Sequence, residues 1–388
     1  MSAATERPVV WWESVARDGE ARAGILHTPH GDVPTPTFMP VGTQGSVKAM
    51  LPEEVEATGA RVVLGNTYHL WLRPGPDVID RLGGLHAFTR WPHAMLTDSG
   101  GFQAFSLSDK CKRDDDGYTF RSHLDGDRMH LSPEGAMTIQ RAIGADIAMQ
   151  LDVCPPGGAS EKDMDEACQV TTAWGARCLE QRRRLDEAGR RPQAVFGIVQ
   201  GGTDVARRID HAGELAAMDF EGLALGGFSV GEPIERMYEA LERITPAVDP
   251  KRARYLMGVG KPADLVIAIG TGVDMFDCVL PTRNARGGHM LTQTGRVAIK
   301  NARFKDDASV LEPGCPCPTC ASGYSRAYLR HLYLSNELLA FRLFSMHNLH
   351  LYGRLVAEAR EAIIAGRYDA FRREKLAMLS RDASRNLA

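Results

Sequence analysis

The chain has 388 residues, a net charge of −3, and 44% hydrophobic and 24% charged residues. That composition is globular, and its acidic balance excludes an indiscriminate nucleic-acid binder, although a local basic surface can still hold a polyanion. No apolar stretch is long enough to span a bilayer, and the opening MSAATERPVV lacks the pattern of a secretory leader, so a cytoplasmic protein without a membrane partner is expected.

From residue 35 onward a short β-prone run repeatedly ends in a polar or Gly-rich turn and leads into a helical pattern. The first run is Pro36–Val41, ending at Gly42-Thr43-Gln44, with a helix near Pro52–Thr58. Arg61–Leu64 follows, ending at Gly65-Asn66-Thr67, and then Ala94–Thr97, ending at Asp98-Ser99-Gly100-Gly101. Ile147–Leu151 ends at Asp152, Ala194–Val199 at Gln200-Gly201-Gly202, and Gly222–Leu225 at Gly226-Gly227. The last two are Arg254–Met257, ending at Gly258-Val259-Gly260, and Met275–Phe276, ending at Asp277. Helical patterns fill the gaps at Pro133–Ile143, Glu161–Ala188, Asp204–Ala217, Glu232–Thr245 and Pro262–Ile269.

Eight strand–turn–helix units predict an α/β fold, a (β/α)8 TIM barrel. The rival open doubly wound sheet would carry a dinucleotide fingerprint after its first strand, and GTQGSV is not one. Two segments depart from the repeat. Ser106–Met129 is polar and reads as a hairpin or loop excursion after the third strand. Residues 284–347 carry clustered cysteines and read as a subdomain inserted between the eighth strand and its helix, with helical periodicity over Glu337–Ala365 and a charged helix beyond. The expected organisation is one catalytic barrel over residues 1–388 with that insertion.

In such a barrel, chemistry sits at the C-terminal ends of the strands. Asp98, Asp152 and Asp277 all fall there, and carboxylates around an apolar-walled mouth suit reactions at an acetal carbon. Glycines at Gly226 and Gly227 let backbone approach a flat ligand, and Phe102 is placed to stack on one. Behind Asp277, a basic loop with Arg283 and Arg286 suits a polyanion.

Cys315-Pro-Cys317-Pro-Thr-Cys320 is a Cys-x-Cys-x2-Cys cluster among eight cysteines, too few for a disulfide scaffold. Three soft thiolates converging on one ion suit tetrahedral Zn²⁺, with His347 or His350 as the fourth ligand. Four protein ligands leave no open position, so one structural zinc per chain is expected.

The stretches DSGGFQ (98–103), GIVQGG (197–202), LALGGFSVGE (223–232), MGVGKP (257–262) and FDCVLPTRNARGG (276–288), with the cysteine cluster and a following His, closely resemble bacterial tRNA-guanine transglycosylases, the queuine tRNA-ribosyltransferase family. The resemblance runs from about residue 10 to about residue 370 in the family's order. It implies exchange of the wobble guanine of GUN-anticodon tRNAs (those for Asp, Asn, His and Tyr) for preQ1, in queuosine biosynthesis. Asp277 matches the nucleophile that attacks ribose C1′ and forms a covalent intermediate, and Asp98 matches the general acid/base, which also contacts the base. Asp152, Gln200 and Gly227 match residues that read the base edge; Gly226, Cys154 and Met257 match others of the base pocket, and Phe102 takes the place of a stacking aromatic. Arg283 and Arg286 match positions near the anticodon nucleotides. Aligning the YSRAYLRHL segment puts the zinc ligand at His347 rather than His350. A homodimer is implied, and no redox or nucleotide cofactor. Two departures stand out: Val153 replaces a Glu, and Phe228-Ser229 replaces Leu-Ala or Leu-Ser beside the substituent side of the base. The alternatives are an archaeal-type relative that modifies a D-arm base, a catalytically dead partner subunit, and an unrelated zinc-bearing barrel acting on a small phosphorylated metabolite; retention of both Asp98 and Asp277 argues against the second.

Overall fold

The computed structural model describes residues 8–106, 111–293 and 295–385. Eight parallel strand positions close into a barrel: β1 in two pieces (Thr37–Met39 and Val41–Gly42), β2 (Val62–Gly65), β3 (Ala94–Thr97), β4 (Ile147–Met149), β5 (Ala194–Val199), β6 (Gly222–Leu225), β7 (Ala253–Leu256) and β8 (Met275–Asp277). The split in β1 has a simple cause. Pro40 has no N–H to give to the ladder, while its carbonyl still accepts from Leu64 N at 3.0 Å. One half of β1 pairs with β8 and the other with β2, and those two pairings close the sheet. The expected strands lie within a residue or two of the observed ones.

These strands read as apolar runs, not alternations, because both faces are covered. Inside, Leu64, Leu96, Met149, Phe196, Ile198 and Met275 interlock. Outside, helices including Pro133–Ile143, Glu161–Glu187, Val205–Ala216, Ile234–Ile244, Pro262–Gly270 and Leu338–Ile364 pack on the sheet. An antiparallel sheet of Trp11–Asp18, Ala21–His27 and Val33–Thr35 adds Val10, Trp12, Leu26 and Val33 to the interior cluster and so plugs the barrel's N-terminal end. Arg22 from that sheet is buried in a two-pronged ion pair with Asp274, the residue before β8. At the same end of the barrel, His30 and His86 stack at 3.6 Å and both engage Asp146, the residue before β4.

The excursion after β3 is a small antiparallel sheet of Lys112–Arg113, Tyr118–Arg121 and Arg128–Leu131; its residues 107–110 lie outside the described ones. Past β8 the basic stretch expected as a loop is instead a helix, Leu280–Arg286, started by Pro281 at its first turn, where a missing N–H costs nothing. A two-stranded ribbon (His289–Thr292 with Gly295–Ala298) and the helices Pro318–Ala321 and Arg326–Leu334 follow. Their apolar side chains form a cluster of their own with the three clustered cysteines and the start of helix Leu338–Ile364. No helix among the described residues is long and apolar enough to cross a membrane.

Candidate active site

Closure of the barrel gathers residues that the sequence spreads over 180 positions. Asp98 directly follows β3, Gln200 β5, Gly226 β6 and Met257 β7, while Asp152 lies just past β4 and Asp277 ends β8. All sit at the C-terminal mouth.

Asp98 and Asp152 are buried there and Asp277 partly so, and among the described residues all three meet only neutral donors. Asp98 receives Asn66 Nδ2 at 2.6 Å, Thr67 N at 2.8 Å and Gln103 Nε2 at 3.1 Å. Burial first, and then the negative charge of Asp277, push its carboxyl up to about 7, against those hydrogen bonds. Asp277 takes the Tyr255 hydroxyl at 2.6 Å and Gly258 N at 2.7 Å on the same oxygen, Oδ1, and burial raises it above the ordinary carboxylate range. Its Oδ2 is thereby left for another partner. Asp152 receives Gln200 Nε2 at 2.7 Å and Ser99 Oγ at 3.4 Å, and burial raises it to about 6. Carboxylates poised this way suit proton transfer near neutral pH.

Beside them lies a cavity of about 190 Å³ lined by Phe102, Tyr118, Val153 and Cys154. Asp98 and Asp277 are not in its wall. Phe102 is half exposed on the short helix Gly101–Ser106, free to meet a flat ring. Burial pushes the Cys154 thiol up to about 12, so it is neutral, and the Gly227 N–H points at it. Gly227 needs its lack of a side chain: its φ is +66°, and a Cβ would lie 2.4 Å from Gln200 Oε1. Met257 is partly buried against the barrel interior. Phe228 is buried under the Arg208 guanidinium, 3.9 Å from ring centre to Cζ, and the next peptide is held by Glu232, which accepts from Ser229 N and Val230 N. Arg283 and Arg286 are exposed on helix Leu280–Arg286.

Away from the mouth, Cys315, Cys317, Cys320 and His347 are all buried with their donor atoms mutually within 4.8 Å. His347 Nδ1 lies 3.9, 3.3 and 3.5 Å from the three sulfurs. Neighbouring donors of a tetrahedral zinc with three thiolates and one imidazole lie about 3.5–3.8 Å apart. The other ring nitrogen, Nε2, meets the Leu291 carbonyl at 2.8 Å, which fixes the tautomer that leaves Nδ1 free to ligate. The donors present therefore fit one metal ion, and His350 stands outside the group.

A family model described as queuine tRNA-ribosyltransferase matches residues 18–381. The queuine tRNA-ribosyltransferase of Sorangium cellulosum (strain So ce56) is 67% identical over 363 residues, covering 93% of this chain and 90% of the relative. The proteins of the same name from Geobacillus kaustophilus (strain HTA426) and Nitratidesulfovibrio vulgaris (strain DP4) are each 50% identical, covering 92% and 93% of this chain and 93% and 95% of their own. The chain belongs to the queuine tRNA-ribosyltransferase family. It is an enzyme, a pentosyltransferase of the tRNA-guanine transglycosylase class.

Three partners of the site in this ribosyltransferase escaped the sequence reading. Asn66 was visible only as part of a strand-ending turn. Tyr255 sits in the middle of β7, where an aromatic reads as core. Arg208 lies on a helix face, where an arginine reads as solvated; it is fully buried. A burial pattern cannot reveal that a core-like tyrosine points its hydroxyl at a carboxylate from the next strand.

Proposed function

We propose that this transglycosylase exchanges the wobble guanine of GUN-anticodon tRNAs for preQ1 through a covalent aspartyl–ribose intermediate, as a step of queuosine biosynthesis. The observation that carries the reading is the Asp98–Asp277 pair: two acids at one barrel mouth, Asp98 buried and Asp277 partly exposed, both raised, Asp277 with a free oxygen. In the first displacement, Asp277 Oδ2 bonds to ribose C1′ as the C1′–N9 bond breaks, its electron pair going to the guanine. Asp98 gives that base a proton. The incoming base then gives a proton back to Asp98 and displaces Asp277, so configuration at C1′ is retained.

Asp152, Gln200, Gly226 and Gly227 read the base edge in this proposal, with Phe102, Cys154 and Met257 walling its ring. The Gln200 Oε1 atom is buried with no hydrogen-bond partner, which supports a ligand rich in N–H donors. At the Phe228–Ser229 peptide the N–H is held by Glu232, so the carbonyl points the other way, an acceptor suited to the aminomethyl group of preQ1. Arg283 and Arg286 are exposed at the mouth side of β8 and would meet anticodon-loop phosphates and splayed bases. Zinc held by Cys315, Cys317, Cys320 and His347 would cross-link residues 284–347 as an inserted subdomain, far from any bond that changes. We further propose a cytoplasmic homodimer, on the family resemblance.

The deciding experiment incubates the protein with unmodified GUN-anticodon tRNA and labelled guanine, then chases with preQ1. Label entering the tRNA and leaving on the chase is the expected result. Label that resists preQ1 would keep the transglycosylase and remove preQ1 as its base; no incorporation by the folded, metal-loaded protein would overturn the reading in favour of a non-catalytic partner subunit. Light scattering reads the oligomeric state in the same preparation.

A further inference from the structure

Arg208 lies buried beneath the turns that follow β5 and β6. It is fully buried and, among the described residues, is hydrogen-bonded to no carboxylate. Its guanidinium donates to three carbonyls: Gly202 O at 2.6 Å, Val199 O at 3.1 Å and Gly226 O at 2.7 Å. Its flat face covers the Phe228 ring at 3.9 Å. Burial lowers it only to about 10, so it stays charged at neutral pH. A buried cation with no hydrogen-bonded carboxylate is expensive, and a neutral side chain of similar length could fill the same volume. Space has been kept for it nonetheless: a Cβ on Gly201 would lie 2.9 Å from Arg208 Cγ.

What the charge touches suggests its use. Val199 and Gly202 flank Gln200, and Gly226 precedes Gly227. The Gly226 carbonyl and the Gly227 N–H belong to one peptide unit. A cation bound to that carbonyl polarises the unit and makes the N–H a stronger donor. That N–H points to the Cys154 side of the site, where the base is placed by the proposed function.

We infer that Arg208 is a positioning residue that holds the two glycine turns in register and, through the Gly226–Gly227 peptide, strengthens a backbone donor toward the departing guanine. The inference rests on the base-site reading given above. When the C1′–N9 bond breaks, its electron pair enters the purine and spreads toward the carbonyl oxygen until Asp98 supplies a proton. A donor strengthened by a fixed charge is worth most at that moment, in the manner of an oxyanion hole. Glu232, Cys154 and Cys168 are the other ionisable groups near the guanidinium; the two thiols are held neutral by burial, and Glu232 is engaged by Ser229 N and Val230 N.

The test compares Arg208→Met, which keeps bulk and removes charge, with Arg208→Lys, which keeps charge and loses the fork. Guanine exchange is measured with circular dichroism and tRNA affinity as controls. Loss of one oxyanion-type donor costs about 10²–10³-fold in kcat, so weakening one should cost Arg208→Met about 10–100-fold, with KM for tRNA unchanged. Arg208→Lys should recover part of that loss. If Arg208→Met does not fold, Arg208→Gln replaces it as the neutral variant and is read against Arg208→Lys by the same kcat at unchanged KM for tRNA. A folded Arg208→Met with kcat within about threefold of the parent would overturn the inference, since the expected penalty starts near tenfold. Equal losses in both folded variants would likewise leave packing as the whole explanation. Asp277→Asn runs alongside: if it still exchanges guanine, the base-site reading itself fails, whereas a dead Asp277→Asn beside a normal Arg208→Met removes only the role of Arg208.

Discussion

The two ends of this barrel bury acids in opposite ways. At the N-terminal end, Asp274 is gripped by Arg22 and accepts from Arg254 N at 2.7 Å, while Asp146 faces two stacked imidazoles and Met95 N. At the C-terminal mouth, Asp98 and Asp152 are buried and Asp277 is partly buried, yet their hydrogen-bond partners are amides, hydroxyls and backbone N–H groups. The consequence shows in their protonation. The two imidazoles hold Asp146 below the ordinary carboxylate range in spite of its burial. Asp98 and Asp152 are pushed up to about 7 and about 6. Burial also raises Asp274, against the pull of Arg22, so pairing offsets desolvation there without overcoming it. The difference teaches that burial alone marks nothing; a buried carboxylate without a cation marks a group kept ready to change its charge.

The largest test of that contrast is at the mouth. Asp277→Asn should lower guanine exchange by more than about 10³-fold, as removal of a nucleophile does, while tRNA binding and fold persist. Exchange of labelled guanine and a denaturing gel for the tRNA–protein adduct check it. Substantial surviving exchange would show that the unpaired acid is not the reactive one.

The four clustered donors Cys315, Cys317, Cys320 and His347 stand outside both ends and calibrate them. Cys317→Ser should release the metal and cost more than about 4 kcal/mol in the 284–347 region, because a missing sulfur leaves the remaining donors buried and uncompensated. Metal content and a denaturant melt read the outcome. Unchanged metal and stability would remove the cross-link.

At the N-terminal end, Asp146→Asn should destabilise by about 2–3 kcal/mol at pH 7, since one amide oxygen cannot serve three donors. The sign with pH follows from a lowered carboxylate. Its stabilisation is present above the unfolded carboxylate pKa and is lost as pH falls through the lower folded value. Urea melts at pH 7 and near pH 3 should therefore show the gap between parent and variant closing in acid. A gap that persists there would mean that packing, not charge, holds the sheet to the barrel.

How much of this contrast was legible beforehand follows from what each signal depends on. The eight barrel strands were readable because a doubly buried strand is an apolar run that ends abruptly in a polar turn, and the mouth residues sit in those turns. The N-terminal sheet was missed because its alternation is broken: the register of Trp11–Asp18 on Ala21–His27 shifts between Ser14 and Ala16, which throws the period out of phase. Helices Thr67–Leu72, Pro76–Arg81 and Leu85–Thr89 have six, six and five residues, too few for a helical period to emerge. The packing of the buried Phe228 ring on the Arg208 guanidinium likewise has no signature in the local pattern. Pairing of a particular acid with a particular cation over 252 residues, as in Arg22 and Asp274, has no local signal at all.

The smallest expected effect is the sharpest test, because its sign differs between the two ends. A carboxyl raised to about 7 when folded, against about 4 when unfolded, loses stability as pH rises between those values, since the folded state binds the extra proton. Asp98→Asn removes that titration. The amides of Asn66 and Gln103 would have to adjust to a side chain with one acceptor, and Gln103 is free to turn because its Oε1 has no partner. At pH 8 the variant should thus be more stable than the parent by about 1–2 kcal/mol, less than the full linkage because of that adjustment, while guanine exchange collapses. Near pH 5 the advantage should vanish. Denaturant melts at the two pH values decide it: a variant that is less stable at pH 8 would place Asp98 with Asp146, as an acid that holds the fold, and the contrast between the ends would fail where it matters most.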